Sequence, residues 1–245
     1  MAGLSQLSLI LAAAMVIAAI GGLIRGATGF GGAMVMTPTL SLLLGPIPAV
    51  VIALLLETFA AFSMLPMAAR AAHWRTIAPL CAAACVTAPL GGYLLLTLDP
   101  QLMRRAIAAT VLVFALVLLT GIRYRGQQRL GTSIALGATS GVLVGATSVG
   151  APPVIMYLLA GSDPPGVTRA NLTLFVTIIS LAALAMMAWR GMLDASNAMT
   201  SLQLSPFYFG GVWLGSHLYG RLDATAMRRW TLIFLLVVSA IVLSL

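Results

Sequence analysis

Long apolar segments separated by short polar ones run through the whole chain. Several segments reach the roughly 18 consecutive apolar residues that are typical of a membrane-spanning helix. The polar groups between them are rich in glycine, proline and arginine, which are common at helix ends. The pattern predicts an all-α polytopic membrane protein, with ten apolar segments at about 5–24, 33–44, 47–69, 76–98, 103–121, 131–146, 153–160, 167–189, 199–220 and 226–245.

A glycine-rich sequence interrupts this pattern twice, at matching places in the two halves. Gly22-Leu-Ile-Arg-Gly-Ala-Thr-Gly-Phe-Gly-Gly32 recurs as Gly141-Val-Leu-Val-Gly-Ala-Thr-Ser-Val-Gly-Ala151. Glycine favours left-handed or unwound backbone, so each copy predicts a discontinuous or re-entrant helix. Such interruptions are tolerated in a bilayer only where they are buried in protein or line a polar cavity. A matched pair of them indicates the binding site of a transporter.

A second match shows that the whole half-chain is repeated, because residues 98–105 resemble residues 222–229. We expect a single transmembrane domain over residues 1–245 that consists of two homologous repeats, about 1–122 and 129–245. If the repeats are parallel, the arginines divide six against six between the two sides of the membrane. If the repeats are inverted, they divide nine against three, which is the bias that cytoplasmic loops show. The charges therefore favour inverted repeats, with the nine-arginine side in the cytoplasm.

Composition and charge restrict the function further. Only 7% of the 245 residues are charged, whereas a soluble domain has about 25%. The net charge of +8 comes from arginines at segment ends, where they suit anionic headgroups, so we expect a lipid bilayer and no nucleic acid as partner. Cys81 and Cys85 have no clustered histidines or acids near them in the sequence, and we interpret them as small buried hydrophobic residues. We therefore predict no metal site and no cofactor.

The two glycine-rich sequences carry most of the candidate substrate-binding residues. A helix that begins near Ala33 or Pro153 would direct unpaired N–H groups and the positive end of its dipole at an anion. We expect glycines to form the gap at both sites and hydroxyls to add donors. The candidates are Gly26, Thr28, Gly29, Gly31, Gly32, Gly145, Thr147, Ser148 and Gly150. The alternative is that small residues merely let neighbouring helices approach closely.

Four further polar residues stand out against the apolar background. Arg25 adjoins the first glycine-rich sequence, and Arg169 and Asn171 begin a long apolar segment, so we include all three in the candidate substrate site. Either arginine could instead cap a helix and extend to the membrane surface. Glu57 lies about ten residues into an apolar segment, near mid-membrane, where a carboxylate must be paired or protonated. Two roles stay open for it: proton coupling, or a structural ion pair with Arg25 or Arg169.

Residues 25–38 and 141–157, in a duplicated chain of this length, resemble the TauE/SafE family of sulfite exporters, also known as the toluene-sulfonate uptake permease family. The resemblance extends over essentially the whole chain. It implies a multi-pass permease of the bacterial inner membrane that carries sulfite, sulfonates or other small organic anions.

We therefore expect a secondary transporter of a small anion, bound between the two glycine-rich sequences near mid-membrane, and not an enzyme. The membrane potential favours export of an anion, whereas uptake would require a coupled cation such as a proton on Glu57. Homo-oligomerisation stays open. The alternative class is a non-transporting membrane scaffold or assembly factor, which would pack its glycines without a polar cavity. An intramembrane enzyme ranks third, because it would need His217 beside a hydroxyl nucleophile.

Overall fold

The structure is a computed structural model that describes residues 2–29, 31–62, 65–120, 129–161, 163–219 and 224–244. In these ranges the chain forms eleven α-helices and no β-strand. The helices are α1 (Ala2–Thr28), α2 (Gly32–Leu44), α3 (Pro46–Phe62), α4 (Leu65–Ala71), α5 (Trp74–Thr97), α6 (Pro100–Thr120), α7 (Leu130–Thr147), α8 (Ala151–Leu159), α9 (Pro165–Trp189), α10 (Ala195–Tyr219) and α11 (Ala224–Ser244).

Five of the described helices are long and apolar enough to cross a membrane, namely α1, α5, α6, α7 and α9. The bent pair α3 and α4 would make a sixth if it forms one span. The short helices α2 and α8 have 13 and 9 residues, so each is about 14–20 Å long and shorter than the hydrocarbon core. These features identify a multi-pass membrane protein, as the sequence predicted.

Most helix boundaries lie within a few residues of the predicted segments. One predicted segment differs, because residues 47–69 form two helices, α3 and α4, instead of one. Most of the predicted basic linker at 123–129, and residues 222–223 of the repeated motif at 222–229, fall outside the described residues. The boundaries of the two repeats, and their inverted orientation, therefore stay predictions.

Helices of one predicted repeat pack against helices of the other. α1 packs along α10, while α7 packs along α5, so the first helix of each predicted repeat contacts the fourth predicted segment of the other. The last helices, α6 and α11, also pack against each other. Each glycine-rich sequence thus has its first half in a long helix that contacts the opposite repeat.

In both helix pairs, α1 with α10 and α5 with α7, glycines on each of the two helices allow the close packing. A Cβ atom on Gly26 would lie closer than 3.0 Å to the carbonyl oxygen of Val212, and one on Gly145 equally close to that of Ala88. Real Cβ atoms essentially never approach other atoms so closely. The partner helices contribute glycines of their own, Gly91 on α5 and Gly211 and Gly215 on α10, which approach carbonyl oxygens of α7 and α1 in the same way. Gly26 and Gly145 therefore fit the alternative interpretation, in which small residues let neighbouring helices approach closely.

Candidate functional site

The second half of each glycine-rich sequence forms a junction between a long helix and a short one. At the first junction, between α1 and α2, Gly29 and Gly31 have φ values of +81° and +92°, which favour glycine. At the second junction, between α7 and α8, Ser148 has a φ of +58°, the only positive value among the described non-glycine residues. The short helices begin at Gly32 and Ala151, close to the predicted starts at Ala33 and Pro153.

Gly150, directly before α8, has a φ of −124°, a value open to any residue, so it is not a left-handed glycine like Gly29 and Gly31. Its lack of a side chain has a different reason, because a Cβ atom would collide with the carbonyl oxygen of Ser140 and the side chain of Val144 on α7. The left-handed residue of the second junction is Ser148.

Both junctions line one cavity of about 40 Å³. This exceeds the roughly 10–15 Å³ that one water molecule needs, so the space suits a few waters or a small ion. The remaining walls come from α3 and α9. The cavity is lined by Arg25, Gly31, Ala33, Met34, Leu54, Glu57, Val144, Ser148, Val149, Gly150, Ala151, Pro152, Phe175, Val176, Ile179 and Ser180.

A buried ion pair dominates this cavity. Arg25 Nη1 lies 2.8 Å from Glu57 Oε2, and the two side chains are only 13% and 6% exposed. Glu57 Oε1 also accepts hydrogen bonds from the Ala33 N–H (3.0 Å) and the Tyr208 hydroxyl (3.1 Å). Of the two arginines considered as partners for Glu57, the structure selects Arg25. The carboxylate also occupies the N-terminal end of α2, where helix N–H groups favour an anion.

Gly32 makes room for this arrangement, because a Cβ atom there would collide with Glu57 Oε1.

The second junction has no equivalent ion pair. Val144 occupies the position that matches Arg25 in the repeated sequence. In addition, Pro152 and Pro153 in the first turn of α8 have no N–H groups, so α8 does not offer the full set of donors expected at a helix start. The donors of the cavity are therefore concentrated at its α1–α2 end.

The signature hydroxyls have different partners. The side chains of Thr28 and Thr147 donate to carbonyl oxygens one turn back, those of Ile24 and Leu143, at 2.8 and 2.7 Å. Of these three hydroxyl-bearing residues of the glycine-rich sequences, only Ser148 is among the residues that line the cavity. Its hydroxyl is hydrogen-bonded to that of Thr37 on α2, which ties the second junction to the short helix after the first.

The remaining predicted site residues lie elsewhere. Gly26 and Gly145 lie in the helix contacts described above, and Gly29 is not among the cavity-lining residues. Arg169 is exposed, and the fully buried Asn171 accepts a hydrogen bond from the His73 N–H (2.8 Å) at the start of α5. His217 is exposed and packs against Trp213 on its own helix.

Two cavity features were not predicted from the sequence. Tyr208 lies in an apolar segment, and nothing in the sequence around it indicates that its hydroxyl donates to Glu57. The α9 wall includes Ser180, a buried hydroxyl, but the same helix also contains Thr173 and Thr177, so polarity alone did not mark Ser180 for the cavity.

A helical, multi-pass fold with a charged cavity between two short helices is typical of membrane transport proteins. The family model described as Sulfite exporter TauE/SafE matches residues 14–242, so the chain belongs to this family, as the sequence predicted. Family membership makes it a membrane permease or exporter. No curated protein and no solved structure matches the chain.

Proposed function

We propose that this permease is a secondary transporter of a small anion such as sulfite or a short sulfonate, bound in the cavity between the two junctions. One observation carries the proposal: the guanidinium of Arg25 lies at a small, largely apolar cavity that both junctions line. Arginine in a membrane-spanning helix is costly, so its presence indicates a substrate or ion pathway.

The cavity walls suit the chemistry of such an anion. Arg25 supplies charge and fixed donors for oxygen atoms, and Ser148 supplies a hydroxyl at the opposite junction. Leu54, Phe175 and Ile179 form an apolar wall that could accommodate the short carbon chain of a sulfonate. The small volume excludes bulky organic anions in this conformation of the protein.

The scaffold alternative accounts for only part of the site. It expects dry glycine packing, and Gly26 and Gly145 do pack in this way. It gives no reason for a buried ion pair beside a cavity that both junctions line. We place the transporter in the bacterial inner membrane, where expulsion of a monovalent anion that moves without a proton gains about 2.3 kcal/mol per 100 mV of inside-negative potential.

The test is flux of labelled sulfite and methanesulfonate into proteoliposomes. Ser180→Phe should fill the cavity and abolish flux, because Ser180 is 3% exposed and lines the cavity. Leu181→Phe is the matched control, since this neighbouring side chain is 39% exposed on the outside of α9 and should leave flux unchanged. A Ser180→Phe protein that remains monodisperse and transports at the wild-type rate would refute the proposed site.

A further inference from the structure

We propose that Glu57 is a tethered competitor of the substrate, whose carboxylate occupies the donors that an incoming anion needs until a proton neutralises it. This inference rests on the proposed function of the cavity. It predicts that one proton is bound with each monovalent anion.

The first step of the argument is the convergence of donors on Glu57. Its two oxygens take a guanidinium N–H from Arg25, the backbone N–H of Ala33 and the hydroxyl of Tyr208. These donors come from α1, α2 and α10. Three helices from both predicted repeats thus direct positive charge and hydrogen-bond donors at one carboxylate.

The second step is that Arg25 is the only cationic side chain among the described residues that line the cavity. Val144 replaces Arg25 at the opposite junction, and Pro152 and Pro153 remove two N–H groups from the start of α8. An anion that enters the cavity must therefore interact with Arg25. Because Arg25 already holds Glu57 at 2.8 Å, the substrate and the carboxylate compete for the same donors.

The third step is charge balance. Arg25 and Glu57 together carry no net charge, so a bound monovalent anion would leave the buried cavity with one negative charge, which is costly in an apolar setting. Among the described residues, the charged and titratable side chains that contact Glu57 are Arg25 from α1 and Tyr208 from α10. The α2 contact is the backbone N–H of Ala33, and the cavity-lining residues of α9 are not titratable.

Arginine stays protonated, and the phenol of Tyr208 is neutral when it donates its hydrogen bond to the carboxylate. Glu57 is therefore the group that accepts the proton. Its neutral form releases Arg25 to the substrate and keeps the cavity free of net charge. Transport of a monovalent anion by this route is electroneutral.

The experiment measures binding of methanesulfonate to the purified full-length protein between pH 5 and pH 9. This probe remains a monovalent anion over the whole range, so any pH dependence belongs to the protein. For the wild type we expect the apparent Kd to rise with pH, by up to about tenfold per pH unit where binding takes up one full proton. For Glu57→Gln we expect a Kd that does not depend on pH and is at least about tenfold lower than the wild-type value at pH 9.

Asp99→Asn is the matched control, because it removes one acid from an exposed helix cap and asparagine caps a helix equally well. It should bind with the wild-type affinity and pH dependence. If Glu57→Gln does not fold, Tyr208→Phe decides the question, because it removes one donor from the carboxylate and should lower the Kd at pH 9.

A folded Glu57→Gln protein with unchanged or weaker affinity would overturn the competitor role while leaving the anion site intact, and so would unchanged affinity of Tyr208→Phe. Absence of methanesulfonate and sulfite binding by the wild type and by Glu57→Gln at every pH would instead overturn the proposed function itself.

Discussion

The contact between α1 and α10 can be tested with two adjacent glycines on α10. A Cβ atom on Gly211 would lie closer than 3.0 Å to the carbonyl oxygen of Ala19, whereas one on Gly210 would meet no atom within 4 Å. Gly211→Ala should therefore destabilise the protein, and Gly210→Ala should not. The two variants share the helix and the substitution, and the two positions are adjacent in the chain.

The size of the effect follows from the geometry. Ordinary van der Waals contact begins at 3.4 Å, so α1 and α10 would have to separate by about 1 Å to accept the new methyl group. Overpacking of this kind costs about 1–3 kcal/mol. Replacing glycine by alanine in a helix also contributes up to about 1 kcal/mol of stability, but it does so at both positions and cancels in the comparison. We expect Gly211→Ala to be less stable than Gly210→Ala by about 1–3 kcal/mol.

The assay is unfolding in mixed micelles with increasing mole fraction of a denaturing detergent, followed by far-UV circular dichroism and tryptophan fluorescence. The free energies of unfolding of the two variants are compared with that of the wild type. Equal stability of Gly211→Ala and Gly210→Ala would refute the close approach of α1 and α10. It would also remove the packing explanation for the matching glycines of α1.

Three further predictions concern the first junction, a buried amide and the topology. Gly31→Val should abolish anion flux without preventing membrane insertion, because a φ of +92° is strongly unfavourable for valine although the site has space; normal flux would contradict this. Asn171→Ala should lower the free energy of unfolding by about 1–3 kcal/mol, because the backbone N–H at the start of α5 loses its acceptor, and an unchanged unfolding transition would show that the bond is dispensable. A cysteine at Gln127, in a variant without Cys81 and Cys85, should react with impermeant reagents only from the cytoplasmic side, and labelling from the periplasm would refute the proposed orientation.

The sequence predicted the elements of this fold well because hydropathy and glycine act locally. The starts of α2 and α8 follow from glycine and proline chemistry within a few residues. The division of α3 from α4 was not predicted, although Pro66 in the first turn of α4 is a local signal that could have marked a helix start there.

The site was harder to predict because it depends on distances between segments far apart in the chain. The matched glycines indicated two junctions, but Gly26 serves helix packing while Gly31 lines the cavity, and both are glycines of one short sequence. Asn171 and Arg169 were included for their polarity at a helix start, yet they lie outside the cavity. Tyr208 contacts Glu57 across 151 positions of sequence, which no local pattern can reveal.

The packing of α1 against α10, and of α5 against α7, also has a consequence for biosynthesis. α7 follows its partner α5 closely along the chain, but α10 begins about 170 residues after α1 ends. At the usual 5–20 residues per second, a ribosome needs about 10–30 s to synthesise that stretch. During this time the glycine face of α1, with Gly22 and Gly26, must contact lipid or an insertion factor instead of α10. The last steps of translation, not the first, therefore complete the environment of Arg25 and Glu57.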